Sequence, residues 1–194
     1  MNRKKAIENE PELLEFFEKF EKLYRKLGAS FLNDLKRLPP LADLFVDRWE
    51  RAEMLGFGKG TNIYDNSLVI GDVRIGKECW IGPNTILDGS GGLFIGDYCT
   101  ISAGVQIYTH DNVKQTLSSK RLPIERMPTT IGQNVYIAPN AIITKGVEIA
   151  DYCVIATGAL VNKSCPRNSI LMGQPAKVVG KVEVDSDRIN FIYG

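Results

Sequence analysis

One histidine, His110, is present among the chain's 194 residues, set in Ile-Tyr-Thr-His-Asp at 107–111. An imidazole, with an ordinary pKa of about 6.5, is suited to taking a proton near neutrality. The other soft ligands are four cysteines, Cys79, Cys99, Cys153 and Cys165, widely spaced and without a Cys-x-x-Cys pair. With a single histidine they make a poor zinc set, so no metal is expected. No serine stands in a nucleophile motif with a partner. A lone histidine is more often a surface or satisfied core residue than a catalyst, so what singles out His110 is its place in the pattern of the chain.

A base needs a scaffold, and the spacing supplies one. From residue 61 onward aliphatic residues fall every six positions, at Ile63, Val69, Ile75, Ile81 and Leu87. After a slip of two they continue at Ile95, Ile101 and Ile107, and after a long break at Ile131, Ile137, Ile143, Ile149, Ile155 and Val161. Four residues after most of these stands a small side chain, and all four cysteines occupy that slot, which reads as small buried hydrophobes rather than nucleophiles or disulfides. Asn66, Asn84, Asn134 and Asn140 recur at the third place, where a tight corner requires residues tolerant of the left-handed region. A six-residue unit is one short strand and one corner. Three units close a triangular coil, and stacked coils bury the aliphatics in one column. The regular beat stops directly after His110: 24 residues separate Ile107 from Ile131 where one unit takes six. An excursion of that length from a rigid scaffold is a functional element, a loop released to cover the imidazole.

The repeat [LIV]-[GA]-x-x-[small]-x over 61–182, with the ending Asn-Lys-Ser-Cys-Pro-Arg-Asn-Ser-Ile-Leu-Met-Gly-Gln-Pro-Ala-Lys-Val-Val-Gly-Lys at 162–181, resembles the hexapeptide-repeat acyltransferases. Within them it is similar to the maltose and galactoside O-acetyltransferases and their capsule-sugar relatives. That resemblance implies a mainly β fold: a left-handed parallel β-helix with an N-terminal α-helical segment and one long excursion loop. The expected organisation is a helical segment at 1–60, the β-helix at 61–182 with its loop at 111–130, and a C-terminal tail at 183–194.

It further implies an acetyl-CoA-dependent O-acetyltransferase of a sugar hydroxyl in polysaccharide or lipopolysaccharide biosynthesis, with His110 as general base in a direct transfer. Asn84 and Asp88 are then expected on the acceptor side, and Ala138, Pro139, Thr157, Lys163 and Lys177 against acetyl-CoA. The tautomer of His110 would be fixed by an acceptor on its other nitrogen, either Asp111 or a backbone carbonyl. Family members are trimers with sites between subunits, and Asn84 and His110, four units apart, belong to different faces of one prism. A homotrimer is therefore expected. Competing readings are an N-acetyltransferase of a nucleotide-linked amino sugar and, further off, a non-enzymatic scaffold. The γ-class carbonic anhydrases share such coils, but their three-histidine zinc centre has no counterpart here.

Residues 11–55 follow helical spacing instead. An amphipathic stripe (Leu13, Leu14, Phe16, Phe17, Phe20, Leu23, Tyr24, Leu27) is expected to end at Gly28, followed by a second helix stopped at Pro39-Pro40 and a third ending at Gly56. A formal charge of +1 offers no basic field for nucleic acid. No apolar run reaches membrane-spanning length and the first ten residues lack a signal core, so the expectation is a cytoplasmic protein without membrane insertion.

Overall fold

The computed structural model describes residues 3–194, which divide into two compact units, one running up to Asp47 and one from Arg48 to Gly194. In the first, a 3-10 turn (Arg3–Ile7) precedes helix α1 (Pro11–Leu35), and a second 3-10 turn follows at Ala42–Leu44. Phe16, Phe20 and Phe45 stack in series along it. Here the structure corrects one expectation: α1 runs through Gly28 and closes at Lys36, whose φ of 52° is left-handed. Gly28 is buried, and a Cβ there would come within 3.0 Å of Leu38, so the glycine admits a close neighbour rather than ending the helix. The expected third helix is reduced to the Ala42–Leu44 turn in this unit and to α2 (Arg48–Met54) in the next.

The second unit is a β-solenoid of about six turns, its coils parallel throughout, with antiparallel pairing at its last two strands and at one short pair in the excursion. Its first face stacks the strands 62–63, 80–81, 100–101, 136–137, 154–155 and 170–171 in register. A second face stacks 68–69, 86–87, 106–107, 142–143 and 160–161. The third stacks 74–75, 94–95, 130–131 and 148–149, with a bridge to Cys165. A plain coil advances 18 residues, as from Ile63 to Ile81. The slip of two makes it 20, as from Leu87 to Ile107, and the excursion makes it 36, as from Ile107 to Ile143.

All the aliphatics of the six-residue beat point into the shared column. Ile63, Ile81, Leu87, Ile101, Ile107, Ile137, Ile143, Ile149 and Ile155 are fully buried, and only Val69 lies at the margin of the core. The cysteines are buried free thiols. At the corner preceding the first face, Glu78, Tyr98, Asn134, Tyr152 and Asn168 all have positive φ, and the next corner repeats this at Asn84, Gly104, Asn140 and Gly158. Asn66 departs from the pattern. It lies outside the left-handed region and instead donates its amide to Asn84 Oδ1 at 2.9 Å.

Helix α2 packs on the first strand, and Ala52 and Phe57 join the core at that end. Arg51 secures it by bonding the carbonyls of Tyr64 and Ser67. At the other end Ser169–Gly173 turns back antiparallel into Ala176–Val184, which pairs in turn with Ile189–Tyr193. Residues 183 onward thus complete a hairpin rather than trailing as an extension. Among the described residues no helix is long and apolar enough to cross a membrane.

Candidate active site

Both irregularities of the beat fall on one corner of the solenoid, between the second and third faces. The slip follows Leu87, the excursion follows Ile107, and these two residues are register partners in consecutive coils. The bulge 88–92 therefore lies directly under the root of the loop. Gly91 makes this possible: a Cβ there would stand 2.5 Å from the Thr109 carbonyl oxygen and 2.9 Å from Met127 N. Gly91→Ala must push the loop root off the bulge. It is expected to lose about 1–3 kcal/mol, a few degrees to about ten in Tm by thermal unfolding.

The juxtaposition brings Asp88 to His110. Asp88, expected on the acceptor side, is wholly buried, and its Oδ2 lies 2.6 Å from His110 Nδ1. The same oxygen accepts Thr109 N–H at 2.9 Å, and Oδ1 accepts Ser90 N–H at 2.9 Å. The Thr109 hydroxyl donates to the Asp88 carbonyl at 2.8 Å and accepts Gly91 N–H at 2.7 Å. Burial alone would raise the Asp88 carboxyl, but the hydrogen bonds from Ser90, Thr109 and His110 outweigh it and hold the group well below the usual carboxylate range. An ionised Asp88 can only accept, so Nδ1 carries a proton, and in the neutral ring Nε2 presents its lone pair. Neither Asp111 nor a backbone carbonyl fills the expected orienting role.

The imidazole side chain is 35% exposed, and Nε2 has no hydrogen-bond partner among the described residues. Asp111 points away, to Lys145 of the following coil. His110–Asp111 pairs antiparallel with Glu125–Arg126, which folds the excursion back on itself, and helix α3 (Val113–Leu117) lies between these strands. Lys145 also bonds Glu125 Oε2 at 2.9 Å, while Lys114 reaches Glu125 Oε1. The hydrogen bond from Lys145 holds Asp111 below the ordinary carboxylate value. Those from Lys114 and Lys145 do the same for Glu125, and both carboxylates raise Lys145.

The remaining candidates fall on two edges of the prism. The edge bearing His110 also carries Lys163, which the 18-residue register places one coil beyond Lys145. Lys163 and Lys177 line one depression of about 460 Å³ together with Leu171, Pro175 and Val178. Asn84, Ala138, Pro139 and Thr157 occupy the other edge, across the second face. There Pro139 lies one coil from Thr157, and its carbonyl accepts Gly158 N–H at 3.0 Å. Asn84 exchanges hydrogen bonds with Asn66 across one coil. Within one chain the structure brings His110 to Asp88, Lys163 to Lys177 and Pro139 to Thr157, and it holds these groups apart from one another. Among the described residues no group of three or more His, Cys, Asp or Glu side chains is placed to hold a metal ion. Lys145 is the residue at this corner that spacing alone does not reveal.

The repeat is matched independently. Residues 128–163 match the bacterial transferase hexapeptide family (six repeats), and residues 72–109 the hexapeptide repeat of succinyl-transferase. A putative acetyltransferase of Schizosaccharomyces pombe is 30% identical over 178 residues, covering 84% of this chain and 80% of that protein. The galactoside O-acetyltransferase of Escherichia coli K12 is 28% identical over 136 residues, 59% of this chain and 66% of its own. Among solved structures, a maltose O-acetyltransferase from Clostridium difficile 630 superposes with a TM-score of 0.53 at 26% identity, covering 91% of each chain. Against several of the curated relatives it matches, the chain spans only 50% to 66% of their length. The six-residue beat, the solenoid it builds and a relative matched over four fifths of its length lead to one conclusion: the chain belongs to the hexapeptide-repeat acetyltransferase family.

Proposed function

We propose that this protein transfers an acetyl group from acetyl-CoA to a hydroxyl of a sugar, in the making of a polysaccharide or lipopolysaccharide, with His110 as general base. The observation that carries the reading is the Asp88–His110 pair, 2.6 Å apart, in an imidazole that stays 35% exposed. In the proposed reaction Nε2 takes the acceptor's hydroxyl proton as that oxygen attacks the thioester carbonyl. The buried carboxylate of Asp88 stabilises the charge the ring gains, and the imidazolium returns the proton to the departing thiolate. The acceptor class comes from the galactoside and maltose O-acetyltransferases to which the chain is similar.

Lys163 and Lys177 suit the phosphates of coenzyme A, since two ammonium groups border one depression two coils along the histidine's edge. Adjacent coils lie about 4.8 Å apart, so the span from His110 is about 10 Å along the prism, within reach of an extended pantetheine arm. Lys163→Ala and Lys177→Ala are each expected to raise KM for acetyl-CoA about five- to tenfold, a loss of about 1 kcal/mol of charge-assisted binding, with kcat little changed. The second edge, with Ala138, Pro139, Thr157 and Asn84, serves the same site only if a neighbouring subunit supplies it. A homotrimer with sites between subunits follows, and a monomer in sedimentation analysis contradicts it.

The test of the reaction is thiol release from acetyl-CoA over a panel of sugars and nucleotide-linked amino sugars. Turnover confined to hydroxyl acceptors supports the proposal. Turnover confined to amines replaces it with N-acetylation, and no coenzyme A binding at all removes it.

A further inference from the structure

The excursion is not merely released from the corner; it is fastened at its root. His110 has one anchor in the coil before it, where Asp88 takes both its ring and the neighbouring Thr109 N–H. A second anchor lies in the coil after it. Lys145 projects from the Thr144–Gly146 corner, and its ammonium bonds Asp111, the residue following the histidine, together with Glu125, the strand partner of Asp111. Its side chain is 16% exposed against 37% for Asp111 and 35% for Glu125, so the cation is the sheltered member of a half-exposed cluster. One cation thus joins both strands of the loop's root to the solenoid, and Lys114 adds a second, more exposed, contact to Glu125.

We infer that Lys145 is a positioning residue: by clasping Asp111 and Glu125 it fixes the backbone that carries His110 and so the direction of Nε2. It touches neither the imidazole nor any reacting atom. Its catalytic consequence rests on the reaction proposed above, whereas its effect on the histidine does not. Misplacing a base by about 1 Å can cost up to two orders of magnitude in rate. Lys145→Met keeps the length and the apolar stem while removing the charge. It is expected to lower kcat about ten- to thirtyfold with KM for acetyl-CoA within about twofold. Lys145→Arg keeps a cation able to span two carboxylates and is expected to recover most of the rate.

Because the chain has a single histidine, 15N-histidine labelling of the tag-free protein gives the imidazole signals of His110 alone. In the wild type they should report one Nδ1–H tautomer; in Lys145→Met they should broaden or double, and in Lys145→Arg return to one set. If Lys145→Met does not fold, Asp111→Asn opens the same clasp from its other end and is read in the same way. Unchanged imidazole signals in the charge-removing variant overturn the inference. So does a wild-type kcat in that variant when the wild type itself turns over. Should the wild type transfer acetyl to no acceptor, the proposed reaction fails, and the imidazole signals still decide whether Lys145 sets the ring.

Discussion

His110→Ala is expected to lower kcat for acetyl transfer by about three orders of magnitude, within the range of about 10²–10⁴ that a positioned general base contributes. The protein should remain folded. The ring is partly exposed and outside the aliphatic column, and without it Asp88 still accepts the Thr109 and Ser90 N–H groups. Loss of rate should therefore appear in kcat and kcat/KM together, with KM for acetyl-CoA near the wild-type value, the pattern of an interaction made only in the transition state. Thiol release under saturating acetyl-CoA measures it, and added imidazole should restore part of the rate by entering the vacated space. A mutant rate within threefold of wild type would remove His110 from the base's role, whatever the structure around it.

The periodic part of this chain was legible because every coil presents the same environment. An aliphatic at each sixth position has one place to go, and each lies in the column or, like Val69, against it. The cysteines were legible for the same reason, since the slot they share is buried in every coil. Aperiodic features were harder to read. Gly28 looks like a helix stop because glycine weakens a helix, yet packing against Leu38 outweighs that local preference.

Asp88 is more instructive. Its place in a polar bulge suggests a sugar ligand, while simple counting brings it to His110: a coil of 18 with a slip of two makes Leu87 the partner of Ile107, so residues just after each are neighbours. Two irregularities on one corner of consecutive coils are the signal. Lys145 left no such trace. Its partner Glu125 comes within reach only because the loop folds back through the His110–Asp111 and Glu125–Arg126 pairing, a path that no repeat dictates.

Asp88→Asn should cost nearly as much rate as removing the histidine, about two to three orders of magnitude in kcat, and it separates the two roles of the carboxylate. Three donors converge on two oxygens: Ser90 N–H on one, and Thr109 N–H with His110 Nδ1–H on the other. An asparagine offers a single acceptor oxygen. If that oxygen faces Thr109 and His110, the new NH2 meets Ser90 N–H; if it faces Ser90, the NH2 meets the other two. Either way a buried donor is left unpaired, at about 1–3 kcal/mol. In the second arrangement the imidazole is also driven to the Nε2–H tautomer, which cannot act as base.

Stability then separates by pH. The Asp88 carboxyl lies below its ordinary value in the folded protein, so its contribution is complete above the unfolded-state pKa of about 3.9 and is lost progressively as pH falls below that towards the folded value. The Tm difference between wild type and Asp88→Asn should therefore narrow as pH falls from about 5 to below about 4. A gap that stays constant to pH 3 would mean that Asp88 is not the ionised acceptor in this site. The tautomer argument for His110 would then fall with it.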